Sequence, residues 1–176
     1  MTQDRKYAFS WDLIGDLDQG RPRLGKETRL EMYRLMEYTF RDVMEQALGA
    51  AKTDQLFYAA GKLAGNAIHD HLLQPTDDLQ EYLGQIQELF REMKVGIVRV
   101  EQADPAGGTL VLSVEEDLDC SGLPETGEQI CTYDEGLIAG LLESFTGVAF
   151  RVHEVDCWST GDRVCRFQAS SEKEGT

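Results

Sequence analysis

No segment of this 176-residue chain stays apolar for the ~20 residues that a membrane-spanning helix needs. Nor does a long apolar run follow the charges of the opening MTQDRKYAFSWDLIGDLDQG. These absences argue against a membrane span and a secretory leader and predict a cytoplasmic protein. Positive charge is also scarce: 17 Lys and Arg stand against 32 Asp and Glu, for a formal charge of -15. Such a surface repels phosphate backbones and anionic lipid, so nucleic acid is a poor partner. The chain contains no GxGxxG, P-loop, HExxH or GxSxG signature, and no internal repeat or interdomain linker. A binding domain therefore fits better than an enzyme.

What is present is ordinary globular material, 41% hydrophobic and 28% charged, of a length that suits one domain with a sizeable core. Residues 1–26 read as an N-terminal arm, residues 27–170 as the domain and residues 171–176 as a frayed tail. In the arm, Phe9 and Trp11 alternate with polar residues as in a short strand, and aromatics there would pack the terminus onto the core. Leu30, Tyr33, Leu35, Met36, Phe40, Val43, Met44 and Ala47 recur at helical steps and predict a helix from about Thr28 to Leu48. A second helix is expected from Thr53, as N-cap, to Pro75; Gly61 and Gly65, one turn apart, would admit another backbone or a ligand. A third, DLQEYLGQIQELFREMK, would be capped by Thr76 or Asp77.

The period then changes. VGIVRVEQ and GTLVLSVEE alternate around ADPAGG and predict an antiparallel hairpin. A loop, DLDCSGLPETGEQIC, leads to the helix YDEGLIAGLLESF, which ends at Gly147, and the alternating VAFRVHEV follows as a strand. The fold class is α+β, with several helices packed on a small antiparallel sheet of two hairpins.

Three of the four cysteines lie in this last part. Cys157 and Cys165 flank the turn formers Ser159 to Asp162, so a hairpin brings them together, and the helix returns Cys131 to them. In a reducing compartment three clustered thiols point to a zinc site; buried free cysteines or a disulfide are the alternatives. A tetrahedral site needs a fourth ligand, for which His153, Glu154 and Asp156 are available, and donor chemistry favours His153. Arg163 and Arg166 are placed to offset the charge of such a site. Cys120 reads as an incidental thiol rather than a nucleophile, and His69 and His71, two apart on a helix, as surface residues. Phe57, Tyr58, Tyr82, Phe90 and Phe145 are candidates to line a cavity between helices and sheet, or equally to fill the core.

The string from CTYDEGLIAGLLESFTG to HEVDCWSTGDRVCRF closely resembles the vinyl-4-reductase (4-vinyl reductase) domain family of small-molecule and hydrocarbon-binding proteins. YAAGKLAG resembles that family's glycine-bearing helix, and the arm with RPRLG resembles its single-domain members. The resemblance implies a fold like that of TRAPP trafficking subunits and haem-based NO sensors, usually dimeric. It implies a structural zinc held by Cys131, Glu154, Cys157 and Cys165, which replaces His153 with Glu154 and requires the strand to break its alternation near Val155. It also implies a hydrophobic or aromatic small-molecule ligand. The histidine and tryptophan that phenol sensors of the family use have no counterpart here, since Trp158 lies in the knuckle. The combined expectation is a zinc-stabilised, homodimeric ligand sensor or carrier that signals to another protein. A tetrapyrrole reductase or accessory factor, and an assembly subunit without ligand, are the alternatives.

Overall fold

A computed structural model describes residues 7–172 of the chain. Residues 1–6 and 173–176 lie outside that range, and with them most of the tail expected to fray. The elements run in the order 3-10 turn Trp11–Ile14, α1 Leu17–Gly20, α2 Leu30–Leu48, α3 Ala50–Leu72, α4 Leu79–Glu92, β1 Ile97–Asp104, β2 Thr109–Glu115, α5 Thr132–Thr146, β3 Phe150–Asp156, 3-10 turn Trp158–Thr160 and β4 Cys165–Ser171. The arm differs from the expected short strand. Ser10 and Asp12 close a 3-10 turn at Trp11, and the Trp11 ring stacks on His71 at 4.7 Å.

The four strands form one antiparallel sheet in the order β1-β2-β4-β3, so the two expected hairpins are joined edge to edge through β2 and β4. Alternation puts Val98, Leu112, Val114, Val152, Phe167 and Ala169 on the face that is buried. Against that face lie the α4 stripe of Tyr82, Leu83, Ile86 and Phe90 and the buried side chains of α5. Helix α4 is capped by Asp78, whose carboxylate accepts from the Gln80 and Glu81 N–H groups; Thr76 and Asp77, the expected caps, stand just outside.

Helix α5 is buried from Asp134 through Leu142, apart from Glu135, because it lies between the sheet and α3. The contact with α3 is made by glycine on both sides. A Cβ on Gly61 or Gly65 would run into the Tyr133 or Leu137 carbonyl of α5, and one on Gly136 or Gly140 into the Tyr58 or Lys62 carbonyl of α3. The backbone that Gly61 and Gly65 admit is therefore that of α5. Thr53, expected as an N-cap, is instead inside α3, buried, with its hydroxyl donating to the Gly49 carbonyl at 3.1 Å.

Helix α2 reverses its expected orientation. Its apolar positions Leu35, Met36, Phe40 and Val43 are exposed, Phe40 by 62%. Its polar positions face the domain: the Arg34 guanidinium donates to the Leu118 and Ser121 carbonyls, and the Tyr33 and Tyr38 hydroxyls donate to Asp119.

Candidate metal centre and the cavity beside it

Each thiol arrives on a different local device. Cys131 is the N-cap residue of α5, and Cys165 is the first residue of β4, paired across to Val114. Cys157 leaves β3 into a tight turn in which its N–H donates to the Thr160 hydroxyl and its carbonyl accepts from the Thr160 and Asp162 N–H groups; Gly161 closes the turn at φ 104. Cys120 sits in the loop after β2, where the Asp117 carboxylate accepts from the Asp119 and Cys120 N–H groups at 2.9 and 3.0 Å.

These devices bring all four sulfurs together. Their Sγ atoms lie within 4.8 Å of one another, and none of the four residues is more than 1% exposed. The Cys120–Cys165 separation is 3.0 Å, Cys131–Cys157 3.8 Å and Cys131–Cys165 3.9 Å, and all four thiols are free. Hydrogen bonds from the other three thiols hold Cys157 far below the ordinary thiol range. The same contacts, together with burial, push Cys131 up. Such a cluster shares protons among crowded sulfurs, the arrangement that a thiophilic cation replaces.

Glu154 is buried beside this cluster. The β3–β4 register slips between Glu154 and Asp156, the break in alternation expected near Val155, and Glu154 faces inward at the slip. Its Oε2 accepts from the Cys131 N–H at 3.3 Å, and its Oε1 has no partner. Burial, reinforced by the Cys157 sulfur, pushes its carboxyl up to about 8. His153, favoured on donor chemistry alone, points out with a 68% exposed side chain and meets Glu135. The strand pleat puts one of these neighbours inside and the other outside, and it is Glu154 that goes in.

Cys120 is the residue that sequence reasoning missed. Its loop carries no spacing motif, but the count was a signal: four thiols suit a tetrahedral site without a borrowed carboxylate. The two arginines expected to offset the site do not reach it. Arg163 stacks on Trp158 and pairs with Glu125, and Arg166 pairs with Glu101 and Asp156 on the surface. His69 and His71 are not free surface residues either, since His69 bonds the Tyr82 hydroxyl at 3.0 Å and His71 stacks on Trp11.

Next to the thiols, between α4, α5 and the sheet, is a cavity of about 20 Å³, enough for roughly one water. Leu83, Phe90, Leu112, Leu137 and Leu141 line it, with Asp117 and Asp134 as its polar wall. Of the five aromatic pocket candidates only Phe90 lines it. Tyr82 and Phe145 stack on each other at 4.3 Å, Phe57 lies under the Arg41 guanidinium, and Tyr58 is partly buried against the core.

Helices on one face of a four-stranded antiparallel sheet, closed by a buried thiol cluster between a helix start and a knuckle, define an α+β domain of the class expected from the sequence. Residues 110–171, which hold all four cysteines, match the family model of the 4-vinyl reductase domain, and this bears out the resemblance to the vinyl-4-reductase family. Matches to three uncharacterized proteins of Methanocaldococcus jannaschii have 25%, 25% and 34% identity and cover 48%, 68% and 50% of this chain. They span only 50%, 65% and 46% of those relatives' own length.

Solved structures share the fold. A vinyl-4-reductase family protein from M. jannaschii superposes with a TM-score of 0.59 at 16% identity over 86% of each chain. The phenol-responsive sensory domain of the transcription activator PoxR, with phenol, gives 0.57 at 16% over 76% of this chain and 71% of that one. A trafficking protein particle complex subunit 3 from Naegleria fowleri, covalently bound to palmitic acid, gives 0.59 at 15% over 82% and 98%. An H-NOX protein from S. oneidensis gives 0.55 at 16% over 89% and 87%.

Proposed function

We propose that this chain is a cytoplasmic ligand-binding domain, a sensor or carrier for a hydrophobic or aromatic small molecule, clasped by a structural zinc and paired as a homodimer. The observation that carries the ligand reading is the cavity between α4, α5 and the sheet, which is lined almost wholly by apolar side chains. The solved neighbours with phenol and with palmitic acid support the same class of ligand. At about 20 Å³ the cavity must widen, and α4 is the wall that can move. It lies between two loops, and the Lys94 backbone just beyond it takes φ 59. A ligand that binds the widened arrangement better would shift the population toward it and pass that change to a partner protein.

Four buried, free, mutually close thiols fit zinc. Cys131, Cys157 and Cys165 would hold it. For the fourth position the geometry supports Cys120, whose sulfur belongs to the mutually close set, over Glu154, which borders it. A closed thiolate site supplies folding energy and no open position for a reacting water. Each chain of the homodimer would bury the outer face of α2, with Phe40 at its centre, because no part of the described chain covers it.

Native mass spectrometry of the purified protein tests these parts together. The expected spectrum has twice the chain mass, one zinc per chain and an added mass from a small apolar molecule that extraction with organic solvent releases. A bare monomer would sink the reading. Comparing Cys120→Ser with Glu154→Gln assigns the fourth ligand: zinc is lost from the first and retained by the second, and the reverse would restore the carboxylate assignment.

The small cavity favours one other reading, an assembly subunit whose filled core needs no ligand. It predicts the same dimer and zinc with no added mass, and no stabilisation by phenols or fatty acids. The pigment-sized cavity that a tetrapyrrole reductase requires is not enclosed by the described residues.

A further inference from the structure

We propose that Glu37, Asp119 and Asp134 form a second cation site, for a hard divalent ion, separate from the thiol cluster. The three carboxylates come from distant parts of the chain: the inner face of α2, the loop after β2 and the first turn of α5. Each keeps an oxygen without a partner, namely Glu37 Oε2, Asp119 Oδ2 and Asp134 Oδ2. Asp119 is only 3% exposed and Asp134 8%. Asp117 stands behind them, one of its carboxylate oxygens within 4.8 Å of an Asp134 oxygen, while its Oδ1 already accepts two backbone N–H groups.

The surroundings supply order without balancing charge. Tyr33 donates its hydroxyl to Asp119 Oδ1 at 2.8 Å, fixing that carboxylate with its other oxygen free. Arg34 is the nearest cation to the loop, but its N–H groups go to the Leu118 and Ser121 carbonyls at 2.9 Å. Arg41 is engaged with Glu45, Asp54 and the Ile130 carbonyl. Buried carboxylates left in this state repel one another, and the groups that relieve them are a cation or shared protons. An all-oxygen donor set suits a hard ion of the magnesium, calcium or manganese kind, whereas the sulfur set beside it suits zinc. The two sites would thus sort ions by softness across a short distance. An ion bound to the carboxylates would join α2, the β2–α5 loop and α5, where α2 meets the loop through polar side chains.

The test is manganese titration of the protein as purified, followed by electron paramagnetic resonance, with zinc content measured in the same samples. One manganese should bind per chain while zinc stays constant. Glu37→Gln and Asp134→Asn should each weaken manganese binding at least tenfold with zinc content and circular dichroism unchanged; Glu37→Gln is the decisive variant if Asp134→Asn fails to fold. No binding at millimolar manganese, or binding equal in wild type and Glu37→Gln, would overturn the proposal and leave shared protons as the relief. Because neither readout involves an apolar ligand, its failure is distinct from failure of the ligand-binding reading.

Discussion

Helices α2 and α5 handle burial in opposite ways. Helix α5 is surrounded, so its apolar residues face inward on nearly every side and glycine is needed where α3 presses on it. Helix α2 is amphipathic, yet it turns its polar side to the domain and its apolar side out. A helical stripe states that some surface is to be covered. It does not state whose surface does the covering, and for α2 the polar contacts to the loop at 118–121 decide the orientation.

Four substitutions would break or sharpen this contrast. The largest effect is expected at the α5 end. Replacing Cys157 with Ala should abolish zinc binding and, since structural zinc contributes on the order of 10 kcal/mol to small metal domains, lower the melting temperature by tens of degrees. Full zinc retention would show that the thiols hold no metal. Next, Gly136→Ala forces a Cβ toward the Tyr58 carbonyl and should cost about 1–3 kcal/mol or more in denaturant melts. An equal cost for Gly84→Ala, where nothing lies within 4 Å, would remove the distinction between the α3–α5 contact and an open helix surface.

On α2, Phe40→Asp should leave the monomer's stability within about 0.5 kcal/mol, as an exposed site does. It should raise the dimer dissociation constant at least tenfold by sedimentation. Loss of folded monomer instead would mean that α2 packs inward after all. The smallest change is Arg166→Gln. Its surface pairs with Glu101 and Asp156 are worth roughly 0–1 kcal/mol, and zinc content should not move, because the arginine does not touch the thiols.

Much of the architecture was readable before the structure. The change from helical period to alternation at Val95 marked the start of the first hairpin, and Gly147 ends α5 in the left-handed conformation that glycine favours. The three C-terminal thiols were legible because turn formers and one helix return them to a single place. Cys120 was not, because its position depends on an Asp117 side chain folding a loop, which has no periodicity to read. The turn of Glu154 into the core was likewise invisible to strict alternation; only the resemblance pointed to a slipped register. The direction of α2 and the near-filling of the cavity were the least legible, since both depend on how far elements approach one another in space.

The glycine contact between α3 and α5 also limits how the domain can move. Two helices that meet backbone to backbone have no side chains between them to change rotamer, so they lack a neighbouring register into which to slip. They form the chassis. Displacement must be taken up by α4 on one flank and α2 on the other, and the paired helices act as a stiff lever between them.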